Sequence, residues 1–207
     1  MIRFPIPLLL TTLALSACGD GSNPFNFTTD VPDDVATYVD PGAVNQDVDG
    51  AVSIEQTTGT IDIPELTLTD TEISAFSDDE TSGNAVQSAD MLAIGGIRNG
   101  VGFAGITGTT ATTAPESNAT FTGNYAVTNA SGTSTGPLEV IYTFGNNTLI
   151  SVDGDVSVAA IANGTTLTGS VTYAGESGAL SGGFYPEGQL AAAFNGETMG
   201  GVIFAAQ

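Results

Sequence analysis

The chain has 207 residues, of which 23 are acidic and two basic, with no His, no Trp and a single Cys. Both basic residues are arginines, Arg3 and Arg98. Without Lys, imidazole or a second thiol, a Ser/His/Asp triad, a Cys/His pair, a Schiff base and a thiolate or imidazole zinc site cannot be assembled, and only carboxylate, hydroxyl and oxygen-ligand chemistry is left.

The formal net charge of −21 sets the company the chain keeps. A polyanion cannot release phosphate counterions, so no nucleic-acid partner is expected, and basic proteins and cations are favoured. The same charge also has a plain use, since it keeps a protein soluble in salty water where screening weakens self-repulsion.

Residues 1–17 read as a cleaved export segment. Arg3 supplies positive charge, Ile6 to Leu15 form an apolar run, and Leu15, Ser16, Ala17 and Cys18 close it. The run is too short for a bilayer-spanning helix, which needs about 20 residues. It resembles a bacterial lipoprotein signal. That resemblance implies that Cys18 is acylated on sulfur, becomes the new N-terminus and anchors the chain by several acyl groups, a durable attachment where one chain would be marginal. Gly19 and Asp20 leave outer-membrane delivery open, because the acidic residue stands one place later than an inner-membrane retention signal would put it.

From Cys18 to Gly50 the sequence reads as a disordered acidic tether, with Pro24, Pro32 and Pro41 and seven aspartates between Asp20 and Asp49. Asp47 and Asp49 before Gly50 offer calcium ligands, but the later positions of an EF-hand loop are missing, and no metal is assigned. Residues 51–115 read as an irregular β-rich segment. Ile61, Ile63, Leu66 and Leu68 alternate around Pro64 as one interrupted or edge strand, and 77–80 reads as a loop. Residues 85–97 suit a short helix or a strand, and 101–107 are extended.

Residues 116–207 carry the clearest pattern. Turn chemistry recurs at 129–137, 145–147, 153–155, 163–164, 175–178, 186–188 and 195–197, and between the turns the side chains alternate. The predicted apolar face is Phe121, Gly123, Tyr125, Val127; Leu138, Val140, Tyr142, Phe144; Leu167, Gly169, Val171, Tyr173; Leu180, Gly182, Phe184; Leu190, Ala192, Phe194; and Val202, Phe204. Eight antiparallel strands with one apolar face bury it, and lose their edges, by closing into an up-and-down barrel. Strands of five to nine residues and the lack of Trp girdles weigh against a membrane-spanning barrel.

From Gly182, Gly183, Phe184 and Tyr185 through Leu190, Phe194 and Gly196 to Gly200, Gly201, Val202, Ile203, Phe204 and Ala205, the tail resembles the last hairpins of the transferrin-binding protein B barrel and of factor H-binding protein-like lipoproteins. Pro115, Ser117, Ala119, Phe121, Gly123 and Tyr125 look like the lead-in to that family's first barrel strand. Tyr142, Phe144, Gly145, Thr148 and Leu149 look like its third turn. The likeness runs from Val101 to Gln207. The chain departs from the pattern where Pro186 directly follows Tyr185 and where basic residues are absent near the end. The resemblance implies a lipid-anchored, surface-displayed barrel that meets other molecules through its loops; it does not imply transferrin itself.

Candidate sites are few. Asp153 and Asp155 form a paired-carboxylate turn, the equipment of glycoside hydrolysis, yet such residues on hairpin tips usually serve as solvated turns. Tyr125, Tyr142, Tyr173 and Tyr185 make a binding cluster only if the fold gathers them. Asn-X-Ser/Thr triplets at Asn26, Asn118, Asn129 and Asn163, with the triplet Asn146, Asn147, Thr148, are ordinary polar turns behind a bacterial leader. No catalytic, cofactor-binding or metal residue is assigned, and Cys18 is the lipid attachment site. Three classes follow: a non-catalytic surface lipoprotein binding a protein or cation partner through its loops, a carrier of a small apolar ligand inside the barrel, and a carboxylate hydrolase acting through Asp153 or Glu139.

Overall fold

The computed structural model describes residues 42–46, 51–56, 59–63 and 66–207. Three short strands come first, β1 (Ala43–Gln46), β2 (Val52–Gln56) and β3 (Gly59–Ile63), paired antiparallel in that order. A four-stranded meander follows, β4 (Ser74–Ser77), β5 (Thr81–Gln87), β6 (Met91–Arg98) and β7 (Val101–Gly108). The remaining strands are β8 (Ala119–Asn129), β9 (Gly132–Thr143), β10 (Thr148–Ser151), β11 (Val156–Asn163), β12 (Thr166–Tyr173), β13 (Glu176–Tyr185), β14 (Gln189–Asn195) and β15 (Met199–Ala206). They close into a barrel in which every neighbour in sequence is a neighbour in space and β15 pairs with β8.

Period-two alternation builds this barrel, because successive side chains of a strand point to opposite faces. Phe121, Tyr125, Val127, Leu138, Val140, Tyr142, Leu167, Val171, Leu180, Phe184, Leu190 and Phe194 all lie in one buried core. Phe121 and Phe184 stack with ring centroids 5.6 Å apart, and Tyr142 meets Phe184 edge-on at 5.2 Å. An apolar interior is the reverse of an outer-membrane barrel, whose apolar band faces outward. Strand length did not decide the matter: β8 has 11 residues and β9 has 12, longer than the five to nine read from the sequence.

Several details of the sequence reading are corrected. The stretch 129–137 is not one long turn, since Asn129 already pairs with Gly132 and the ladder continues to Tyr142 opposite Ala119. The turn at 144–147 is the second of the barrel, its place in the series of turns read from the sequence. Phe144 sits on it and is 53% exposed instead of facing inward. In β15 the faces are exchanged: Met199, Ile203 and Ala205 fill the barrel, while Val202 and Phe204 lie outside it.

The exchange in β15 has a cause in the second layer. The β4–β7 sheet packs on the outer face of β14, β15 and β8, where Val86, Met91, Ala93 and Ala104 meet Ala126, Tyr185, Ala191, Ala193 and Val202. Its other face, with Ala85, Leu92, Ile94 and Phe103, packs against Val44, Val52, Ile54 and Ile63 of the first three strands. A strand buried on both faces carries no alternation. That is why the alternation put Val202 and Phe204 on the wrong face, and why 85–97 suit helix or strand equally; they hold parts of two strands with a turn between them. Within 51–115 the strands therefore form two regular sheets, β2 and β3 belonging to the first and β4–β7 making the second, and Ala43–Gln46, read as tether, is already strand β1. Gly59–Ile63 is an edge strand, as the alternation around Pro64 suggested, while 66–69 stand outside any strand.

At the crossing of β6 and β15 the two layers touch backbone to backbone. A methyl group on Gly95 would lie 2.5 Å from the Gly201 nitrogen, and one on Gly200 would lie 2.6 Å from the Gly96 nitrogen. Polar bridges tie the same layers together: buried Asn84 on β5 donates from Nδ2 to Thr128 Oγ1 on β8 at 2.8 Å, and the Gly102 amide on β7 donates to Glu197 O at 2.9 Å.

Tight turns set the hairpin registers. Asn99 (φ 52°) and Gly100 (φ 80°) join β6 to β7 as a two-residue turn with both central residues left-handed, the geometry that Asn-Gly favours. Asn163 instead stays in its strand opposite Thr166, and only Gly164 turns left-handed. Between β12 and β13 the first central position is Ala174 at φ 51°. A Cβ there costs about 1 kcal/mol, so Ala174→Gly is expected to raise stability by about 0.5–1 kcal/mol, measurable by urea denaturation. A loss of stability would mean that the Ala174 methyl group makes contacts worth more than the strain it carries.

Candidate functional site

Cys18 with its leader, and Asp47 with Asp49, lie outside the described residues. The four tyrosines are not gathered into one cluster. Tyr125 and Tyr173 meet at one end of the barrel, their ring centroids 6.5 Å apart, and the Tyr125 hydroxyl donates weakly to Asp155 Oδ2 at 3.4 Å. Burial first, and the Asp155 carboxylate second, hold the Tyr125 pKa above its ordinary value. Tyr142 lies at the opposite end and donates to Asn147 Oδ1 at 3.0 Å. Tyr185 faces outward into the layer between barrel and sheet.

The carboxylates are just as separate. Asp153 is exposed on the β10–β11 turn, Asp155 is engaged by Tyr125, and Glu139 stands exposed on β9. Asparagines of the triplets hold turns: Asn118 Oδ1 accepts from the Phe144 amide at 2.9 Å, and Asn129 Oδ1 accepts from the Ser131 amide at 2.8 Å. Among the described residues, no three His, Cys, Asp or Glu side chains are grouped to hold a metal ion.

Charge concentrates elsewhere, at the β4–β5 turn. Asp78 Oδ1 accepts from the amides of Glu80 at 2.8 Å and Thr81 at 2.6 Å, and these bonds hold its carboxyl below the usual carboxylate range. Arg98 on β6 reaches Glu80 at 3.3 Å, the one ion pair among the described residues. Both partners are well exposed, so the pair contributes little.

Tyr185 carries the larger pH dependence. Burial pushes its hydroxyl pKa from 10.0 up to about 12. The unfolded chain ionises first, so this contribution to stability is complete below pH 10 and is lost as the pH rises through 12. Melting temperature is expected to fall from pH 10 to 12, and less steeply in Tyr185→Phe; parallel curves for the two proteins would exclude Tyr185 as the source.

Room for a ligand must be sought outside the barrel, since its interior is occupied by Phe121, Tyr142, Leu167, Phe184, Leu190 and Phe194. The glycines on the inward face leave no cavity at their positions. A methyl group on Gly182 would lie 2.6 Å from the Ala192 Cβ, and one on Gly169 would lie 2.8 Å from the Ala160 Cβ. The barrel's hairpin turns are short and make modest tips, three of them of two residues: 130–131, 164–165 and 174–175.

The exception is the connection 109–118 between β7 and β8. It is tied down where the Ala111 amide donates to Phe184 O at 2.8 Å and where Thr165 Oγ1 donates to Thr110 Oγ1 at 3.0 Å. Asn118 fixes its far end through the Phe144 amide. Between these ties, 111–116 and the 3₁₀ turn Pro186–Gly188 border a cleft of about 290 Å³. A second cleft, of about 350 Å³, lies between 71–73 and the outer face of β8 and β9.

No known family's sequence profile matches the chain, and no curated protein matches it in sequence. Solved structures do. The chain is similar to transferrin-binding protein B of serogroup B Neisseria meningitidis, at 11% identity and a TM-score of 0.46, over 76% of this chain and 48% of that one. A double mutant of transferrin-binding protein B from Haemophilus parasuis matches at 18% identity and a TM-score of 0.48, over 81% of this chain and 41% of that one. The haemoglobin receptor HpuA of Kingella denitrificans matches at 12% identity and 0.47, over 75% of each chain. This is the resemblance expected from the sequence. The chain spans less than half of either transferrin-binding protein B chain.

Proposed function

We propose that this chain is a non-catalytic, lipid-anchored lipoprotein of the bacterial outer membrane, displayed at the cell surface, that binds a protein partner through the outside of its barrel. Cys18 holds the acyl groups, and residues ahead of β1 space the folded part from the lipid. The reading rests on one structural observation: the barrel interior is filled by its own aromatic and aliphatic side chains, so contact has to be made from outside. Carriage of an apolar ligand needs an empty interior, and the Phe121, Phe184 and Tyr142 stack stands in its place.

A chain of net charge −21 favours a partner with a basic surface and steers it from a distance, an attraction that weakens as salt rises. The fold neighbours are named for transferrin and haemoglobin, and neither molecule is carried over to this chain. A hydrolase reading has less support, with Asp153 and Asp155 on a tip and Glu139 on the outer face of β9.

Protease shaving of intact cells, compared between the native chain and Cys18→Ala, tests anchorage and display together. The native protein is expected in the membrane fraction and removable by protease, and the variant is expected off the membrane. An unmodified thiol at residue 18 in cytosolic protein would overturn the proposal. Mass spectrometry of gently purified protein gives the second check, since a stoichiometric apolar small molecule would transfer the case to the carrier reading.

A further inference from the structure

The cleft beside 109–118 has a composition that selects one kind of guest. Its apolar lining comes from Ala111, Ala114, Pro115, Phe121, Phe184 and Pro186. Gln189, half-buried, also lines the cleft; its Oε1 is sealed from solvent without a hydrogen-bond partner, so a guest meets it only once the side chain turns toward the cleft. A buried acceptor left unpaired costs stability, and a guest that offers an N–H recovers it. Two carboxylates also line the cleft, Glu116 on the connection and Glu187 on the 3₁₀ turn. They decide which end of the Gln189 amide serves a guest, because they favour a positive donor over an anionic acceptor.

Glu187 occupies a position that its backbone would rather give to glycine. It sits at φ 61° and ψ 24°, next to Gly188 at φ 70°. The turn is held in place by the Gln207 amide, which donates to Gly188 O at 3.1 Å, and the opposite wall by the Ala111 amide on Phe184 O. Both walls are therefore set before a guest arrives, which lowers the ordering cost of binding. A bare metal ion fits poorly, since hard cations want six or more oxygens and this lining is mainly apolar.

We propose that the cleft between 111–116 and 186–189 is a binding site for a basic side chain, arginine in the first place, presented by the protein partner. The planar guanidinium supplies a fork of N–H donors for Gln189 and the two carboxylates, and its apolar stem lies along Pro115 and Pro186. This rests on the proposed role in binding a protein, and it supplies that role with a pocket and a partner chemistry.

The test uses small probes on the folded chain, so it is independent of where the protein resides in the cell. Benzamidine, its neutral analogue benzamide and the anion benzoate are titrated into ¹⁵N-labelled protein while the amide signals of Ala111, Glu187 and Gln189 are followed. Benzamidine is expected to move them with a Kd of about 1 mM or tighter, benzamide at least about tenfold more weakly, and benzoate not at all. Gln189→Met is expected to weaken benzamidine about fivefold or more. Glu187→Gly is expected to weaken it similarly while leaving the melting temperature unchanged or higher, a split that a purely structural role of Glu187 would not give.

Equal binding of benzamidine and benzamide would overturn the assignment, as would benzamidine shifts confined to the exposed acidic turn at 78–80, or no shift at all. Any of these results would leave the shaving experiment standing. Conversely, a cytosolic protein with a benzamidine-selective cleft would sink the surface reading and keep the site.

Discussion

Gly200→Ala is expected to cost about 2–3 kcal/mol, more than a surface change of the same size, because its methyl group has nowhere to go. It would stand 2.6 Å from the Gly96 nitrogen, with the Phe103 carbonyl beside it, and both obstacles are backbone. Side chains yield by changing rotamer; two sheets held by their own ladders yield only by separating. The barrel and the β4–β7 sheet would be levered apart at the crossing, thinning the contacts of Val86, Met91, Ala93 and Ala104 with Ala126, Ala191, Ala193 and Val202. Urea denaturation followed by circular dichroism measures the loss, with Thr168→Ala on the uncovered outer face as a control expected within about 0.5 kcal/mol of the native protein. A second, earlier transition in Gly200→Ala would show the sheet leaving a barrel that remains folded. If Gly200→Ala and Thr168→Ala unfold alike, the close approach of β6 and β15 is wrong.

The second large effect is expected inside the barrel, at the end where Tyr142 lies. Phe184→Ala removes a ring that stacks on Phe121 and packs T-shaped with Tyr142, and the rigid wall of closed strands leaves little room for collapse. A cost of about 3–5 kcal/mol follows from lost burial together with the cavity left behind. The same variant separates two functional readings. Native protein is expected to take up no benzene, while Phe184→Ala is expected to bind it in the vacated space. Uptake by the native protein at equal affinity would mean that the interior has room after all, and it would restore the carrier of apolar ligands.

How much of the fold could be read depended on how many faces each strand buries. β12 and β13 bury one face inside the barrel over most of their length, so Leu167, Val171, Leu180 and Phe184 announce their period and their direction together. Short turns then order the strands, and closure follows because eight such strands have no other way to hide one face and both edges. β6 and β15 are sandwiched, and their runs of apolar residues and glycines contain no instruction about which side is which. Phe144 was assigned inward by continuing the alternation one step too far, past the point where β9 ends.

The candidate cleft was less legible still. Gln189, Glu116 and Glu187 come from two segments far apart in sequence, and none of them carries a motif. Pro186 following directly on Tyr185 was the one visible signal, and it marks the turn on which Glu187 sits. Composition and alternation, local properties of the chain, were enough to determine an acidic β-barrel without imidazole, amine or thiolate chemistry among the described residues. Which faces of β14 and β15 are covered, where two backbones touch at Gly95 and Gly200, and which polar atom ends up buried without a partner were decided only by the docking of distant strands, because burial on a second face belongs to the assembly and to no single segment.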